Sequence, residues 1–170
     1  MVVRNRKNLI TEKRINMTKA QLVILLSTAL YAISSNALSP DAIEGKKLYP
    51  ACQVCHNQAM DPPLGPPMWG VQRRYKRNTL DNEDFVKSMV DFVKAPTQES
   101  AIHDVAVEQL GLMPPMPLPD EILKKIVTYI LEEQFPPPCE HWRIAVKRAE
   151  KSGDIEHAKK DQNQLKRFCD

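Results

Sequence analysis

The sequence predicts an all-α protein, with a main helical domain over residues 38–135 and a helical hairpin over 136–170. Three observations carry that expectation. Apolar residues recur at helical spacing over about 81–94, 119–135 and 142–168, no stretch of useful length alternates apolar with polar residues, and only 5 Gly stand against 14 Pro in 170 residues. Few glycines exclude the Gly-rich phosphate loops of nucleotide-binding folds, while many prolines favour helices joined by stiff connections. With 42% hydrophobic and 26% charged residues the chain is neither compositionally disordered nor membrane-embedded.

Residues 1–37 read as an export segment. Arg4, Arg6, Lys7, Lys13, Arg14 and Lys19 precede a 14-residue apolar run over 20–33, which ends in the small-residue sequence Ser35-Asn36-Ala37. A basic lead, an apolar stretch and a small-residue exit make a secretory signal, with cleavage expected after Ala37 and Met17 as an alternative start. The run falls short of the roughly 20 residues that span a bilayer, so no stable membrane span is expected after cleavage, and the location expected is periplasmic. Cleavage removes six basic residues and Glu12, taking the formal charge from +3 to −2. A nucleic-acid binder is therefore not expected.

The first helix is expected over about 40–50. Ser39 suits the N-cap, Pro40 the first helical position, and Asp41 and Glu44 the positive end of the helix dipole. Cys52-Gln53-Val54-Cys55-His56 follows, and C-x-x-C-H is the attachment sequence of a c-type haem. Two thiols three residues apart can form thioethers with the two vinyl groups on one porphyrin edge, and the next residue brings an imidazole under the iron. A thioredoxin-like pair leaves His56 unexplained and needs strands alternating with helices, and a zinc site lacks a second Cys/His pair.

Residues 57–80 show no clear periodicity and are expected to form a loop that packs Leu64, Met68 and Trp69 against a porphyrin edge. Arg73, Arg74, Lys76 and Arg77 within it read as a solvated face, with a propionate or an acidic redox partner as the other use. Phe85, Val86, Met89, Val90 and Val93 mark a helix over about 81–94 that stops before Pro96. A weaker helix over 99–110 ends at Gly111. His103 within it is a candidate iron ligand ranked below the methionines that follow.

Those methionines, Met113 and Met116, lie in a proline-stiffened loop, Met113-Pro114-Pro115-Met116-Pro117, that leads into the next helix. Such a loop can hold a thioether over an iron with little loss of entropy, and His/Met ligation fills the sixth position and suits electron transfer. The next helix starts at Pro119-Asp120-Glu121, carries Ile122, Ile126, Tyr129 and Ile130 on one face, and ends before Pro136.

Taken in order, Ser39 to Tyr49, Cys52 to His56, Gly65-Pro66, Met113-Pro114-Pro115 and a last helix with Tyr129 resemble a monohaem class I cytochrome c over residues 39–135. The resemblance implies one covalent haem c, with Cys52 and Cys55 as its thioethers and His56 as an axial ligand. It favours Met113 over Met116 as the sixth ligand, because Met113 stands seven residues ahead of Asp120. It also implies that the Pro66 carbonyl accepts the His56 Nδ1 proton, and that Gly45 and Tyr49 on the first helix meet Tyr129 on the last. Pro67 after Pro66 is a small departure from the pattern.

Residues 136–170 go beyond the usual ending of that family. Trp142, Val146 and Ala149 share one helical face, and Ile155, Ala158, Leu165 and Phe168 another, with Ser152-Gly153 between them. Folding back at Gly153 would bring Cys139 and Cys169 together, and in an oxidising compartment a disulfide is expected. A thiolate or catalytic Cys139 is the alternative. Whether the hairpin packs on the main domain or docks a partner is left open.

The function expected is that of a periplasmic carrier of single electrons between redox proteins, and not an enzyme. The alternative is an electron-transfer haem subunit of a periplasmic oxidoreductase, for example in sulfur-compound oxidation, with an exchangeable sixth ligand.

Overall fold

A computed structural model describes residues 37–170. Apart from Ala37, the export segment lies outside the described residues. Among these residues the structure is all-helical: α1 (Pro40–Leu48), α2 (Pro50–Gln53), α3 (Met68–Asn78), α4 (Asn82–Lys94), α5 (Asp104–Leu110), α6 (Asp120–Glu132), α7 (Cys139–Ser152) and α8 (Ile155–Phe168). Residues 38–170 form one compact unit.

Local chemistry sets several of the boundaries. Ala42 N donates to Ser39 Oγ at the start of α1, Asp84 N donates to Asp81 Oδ1 at the start of α4, and Gly153 ends α7 in the left-handed region at φ 79°. Gly111, at φ 82°, closes α5, whose first residue is Asp104 rather than one near 99.

The main core forms where α1 and α4 both pack on α6. Phe85, Leu123 and Val127 are its most deeply buried large side chains. Gly45 lies where α1 crosses α6, and a Cβ there would stand 1.9 Å from the Lys125 carbonyl oxygen, so no other residue permits this approach. Tyr49 then meets Tyr129 edge to face at 5.0 Å, with Phe135 against both rings. The Glu132 carboxylate accepts from Ser39 N and Ser39 Oγ, each at 2.7 Å, and Glu44 pairs with Lys125.

Residues 57–80 are not one loop, because Met68–Asn78 is the helix α3. Met68, Gln72 and Tyr75 are its buried residues, and Val71 packs beside them. Gln72 is polar yet buried, which hides the apolar repeat. Its Nε2 serves the free carbonyls at the end of α6, reaching Ile130 O at 2.5 Å and Glu133 O at 2.7 Å. The basic cluster on α3 is only partly a solvated face. Arg74 donates to Ile102 O and pairs with Asp104, while the Arg73 guanidinium lies 4.6 Å over the Trp69 ring.

The helices α7 and α8 form the hairpin, closed by a Cys139–Cys169 disulfide. It packs on the main domain: Trp142 and Phe168 flank Trp69 at 5.6 and 5.2 Å, and Arg148 pairs with Asp61. Trp69, expected against a porphyrin edge, therefore packs under the hairpin instead. Ile155, expected on the packed face of α8, is 54% exposed.

Candidate functional site

A cavity of about 550 Å³ opens between α3, α4, α5, α6 and the C-x-x-C-H segment. It is within the range of small-molecule and cofactor sites. Apolar side chains make most of the wall: Met89 and Phe92 of α4, Ala106 and Leu110 of α5, and Leu123, Ile126 and Ile130 of α6. Leu64 and Met68 line it as expected, whereas Trp69 does not. Val71, Tyr75 and Leu123, not singled out from the sequence as site residues, also line it. Val71 and Tyr75 fall in the stretch without clear periodicity, and for Leu123, in a periodic helix, spacing alone does not separate core from cavity wall.

Cys52, Cys55 and His56 share one side of this cavity. Both cysteines are unpaired and half-buried, and the helical turn that carries them is closed by Cys55 N and His56 N donating to Cys52 O. Burial pushes the Cys52 thiol up, away from the thiolate that a disulfide-exchange nucleophile needs.

The imidazole of His56 is held from behind. Its Nδ1 lies 2.7 Å from Pro66 O, and since a carbonyl only accepts, the proton sits on Nδ1 and the Nε2 lone pair is left free. Burial lowers the affinity of His56 for a second proton, with the Pro66 hydrogen bond acting in the opposite direction. Gly65 lets the loop pass this close: a Cβ there would meet Cys55 O and the His56 ring at 3.2 Å.

Met113 and Met116 both line the cavity, so the geometry brings both thioethers to the site and does not choose between them. Met116 N donates to Val93 O at 3.0 Å, strapping the proline-rich loop to the end of α4. His103 lines the same cavity, and its Nε2 is buried without a hydrogen-bond partner. Burial pushes its imidazole down, against a hydrogen bond with the Gly70 backbone.

Among the described residues no group of three or more His, Cys, Asp or Glu side chains is arranged to hold a metal ion. A tetrahedral structural zinc site takes four protein donors. A haem iron makes a different demand, since its porphyrin supplies four nitrogens and the chain need add only one or two axial donors. The residues present fit that group: two free thiols, one oriented imidazole, two thioethers, an apolar wall and an orphaned buried nitrogen. No protein-family model, curated protein or solved structure matches the chain.

Proposed function

We propose that the chain is a periplasmic monohaem cytochrome c of the class I type that carries single electrons between redox proteins. One observation carries the reading: the His56 Nδ1 to Pro66 O bond at 2.7 Å, on a cavity shared with Cys52, Cys55 and Met113. That bond fixes the ring plane and tautomer and makes Nε2 a better donor, as metal-bound imidazoles require.

When bound, haem supplies a one-electron ferric/ferrous couple. The chain does the rest. Cys52 and Cys55 would anchor the macrocycle, His56 and Met113 would ligate its iron, and the apolar walls would keep water from the metal. The His56 ring is held by the Pro66 carbonyl, and the loop that carries Met113 is tied to α4 by the Met116–Val93 hydrogen bond, so little of the chain need move when the charge changes. Val54, Leu64 and Leu112 line the cavity yet remain exposed, forming an apolar rim on which a redox partner can approach. The alternative chemistry at Cys139 loses its thiolate to the disulfide with Cys169.

The test is expression with the haem-attachment machinery. We expect covalently bound haem, with a far-red sulfur-to-iron band in the ferric protein that disappears in Met113→Ala and persists in Met116→Ala. A colourless product would sink the haem reading, and rapid binding of carbon monoxide or cyanide to the resting protein would favour the oxidoreductase subunit over the carrier.

A further inference from the structure

Two observations place the C-terminal hairpin next to the iron-binding chemistry without touching the cavity. The loop between His56 and α3 carries the carbonyl that orients the imidazole, and its own hydrogen bonds gather at its beginning, where Ala59 N donates to Asn57 Oδ1 and Met60 N to Asn57 O. Pro66 lies at the other end. The hairpin grips the chain on both sides of it. Arg148 of α7 pairs with Asp61, five residues before Pro66, and Trp142 with Phe168 encloses Trp69, three residues after it.

The second grip is the firmer one. Trp69 stands in the first turn of α3, where Gly70 N and Val71 N both donate to Pro67 O, so the ring is rigidly joined to the residue that follows Pro66. Arg73 covers the Trp69 ring at 4.6 Å and lies 5.8 Å from the Phe168 ring. Trp142 and Phe168 stack on each other at 6.0 Å with 28° between their planes. The disulfide sits at the base of this clasp: Cys139 is one helical turn before Trp142, and Cys169 directly follows Phe168.

We propose that the hairpin is a brace for the Pro66 carbonyl, so that Trp142, Phe168 and the Cys139–Cys169 disulfide act as positioning residues for His56. This rests on the haem reading of the site. An imidazole that donates Nδ1–H to a fixed carbonyl is the more basic ligand and favours the ferric state. Loosening the clasp lets Pro66 drift, weakens that bond and favours the ferrous state. The hairpin thereby sets the potential of the couple from outside the cavity, and reduction of the disulfide raises it.

The experiment uses the full haem-loaded chain and two readouts: the midpoint potential, and the solvent exchange of the His56 Nδ1 proton in the ferrous protein by NMR. Trp142→Ala, Phe168→Ala and the paired Cys139→Ser, Cys169→Ser variant are each expected to raise the potential and to speed Nδ1 exchange about tenfold, as local opening becomes easier. Covalent haem and the far-red band are expected to remain. Arg148→Gln, which removes the Asp61 ion pair and leaves the aromatic clasp in place, is expected to move both readouts in the same direction by less, and it serves if the aromatic variants do not accumulate. Ile155→Ala, on the exposed side of α8, is expected to move neither. Wild-type potential and exchange in variants whose α7 and α8 amides have lost protection would overturn the brace. A colourless wild-type chain would overturn the haem reading instead, and Nδ1 exchange in that chain and its Trp142→Ala variant would still judge the brace.

Discussion

The crossing of α1 on α6 and the pairing of α7 with α8 are both helix pairs on one compact unit, yet they are held by opposite means. The first is a fit of shapes. Gly45 lets two backbones touch, three aromatic rings fill the space beyond, and carboxylates of Glu44, Glu132 and Glu133 tie the ends to Lys125, Ser39 and Lys46. The second has little shape to rely on, since its buried residues are Trp142, Val146, three alanines and Asp161. A thin core of that kind needs a staple, and Cys139–Cys169 is the staple. Added volume should therefore ruin the first pair, and loss of a covalent bond the second.

Gly45→Val gives the largest expected effect. Its Cβ would stand 1.9 Å from backbone that belongs to a packed helix, so α1 must move off α6. The loss should be about 3 kcal/mol or more, beyond the usual range for overpacking, with a fall in the thermal midpoint of the whole chain. Next comes the paired Cys139→Ser, Cys169→Ser variant. A disulfide closing a loop of this length, 30 residues, contributes about 2–4 kcal/mol. That loss should stay local, so hydrogen exchange should quicken in α7 and α8 and remain slow in α1 and α6. Uniform quickening across all four helices would show that the two pairs are not separable.

A smaller effect is expected where the two regions meet α3. Gln72→Leu keeps the volume but leaves the carbonyls of Ile130 and Glu133 without their donor, at a cost of about 2 kcal/mol. Denaturant unfolding measures it, and Gln72→Met should behave as the leucine variant does if the lost donor is the cause.

This residue also marks the limit of what the sequence discloses. Helices with apolar stripes, such as α4 and α6, were legible to within a few residues, as were the turn at Gly153 and the disulfide, because each rests on local spacing or on a unique pair. The helix α3 was not legible, because its most useful buried residue is an amide whose partners lie about sixty residues away. Trp69 failed for the same reason. Nothing near it in sequence tells a ring that faces a cavity from one that faces Trp142 and Phe168. Of the site, the thiols, His56 and the methionine loop follow from motif spacing, and Pro66 from family resemblance. The orphaned nitrogen of His103 is not legible in the sequence, since burial of one atom is a property of the fold.

The smallest expected effect is acid sensitivity of the hairpin. Burial pushes the His141 imidazole below its ordinary value of 6.5, with Arg148 and His157 pushing the same way and Asp161 opposing. As pH falls through 6.5, the unfolded hairpin takes up a proton that the folded one refuses, so stability is lost between that value and the lowered one. Asp161 runs the other way. Burial raises its carboxyl above the ordinary 3.8, against His157 at 3.1 Å, His141 and Lys160, so the folded hairpin binds that proton first and regains stability at lower pH. Protection factors of α7 and α8 amides should therefore fall between pH 7.5 and 5.5 in the wild type and fall less in His141→Phe. Those of α1 and α6 should change little over that interval, because Glu44 and Glu133, whose carboxyls are held below their ordinary value of 4.5, remain ionised there. An equal fall in wild type and His141→Phe would remove His141 as the cause.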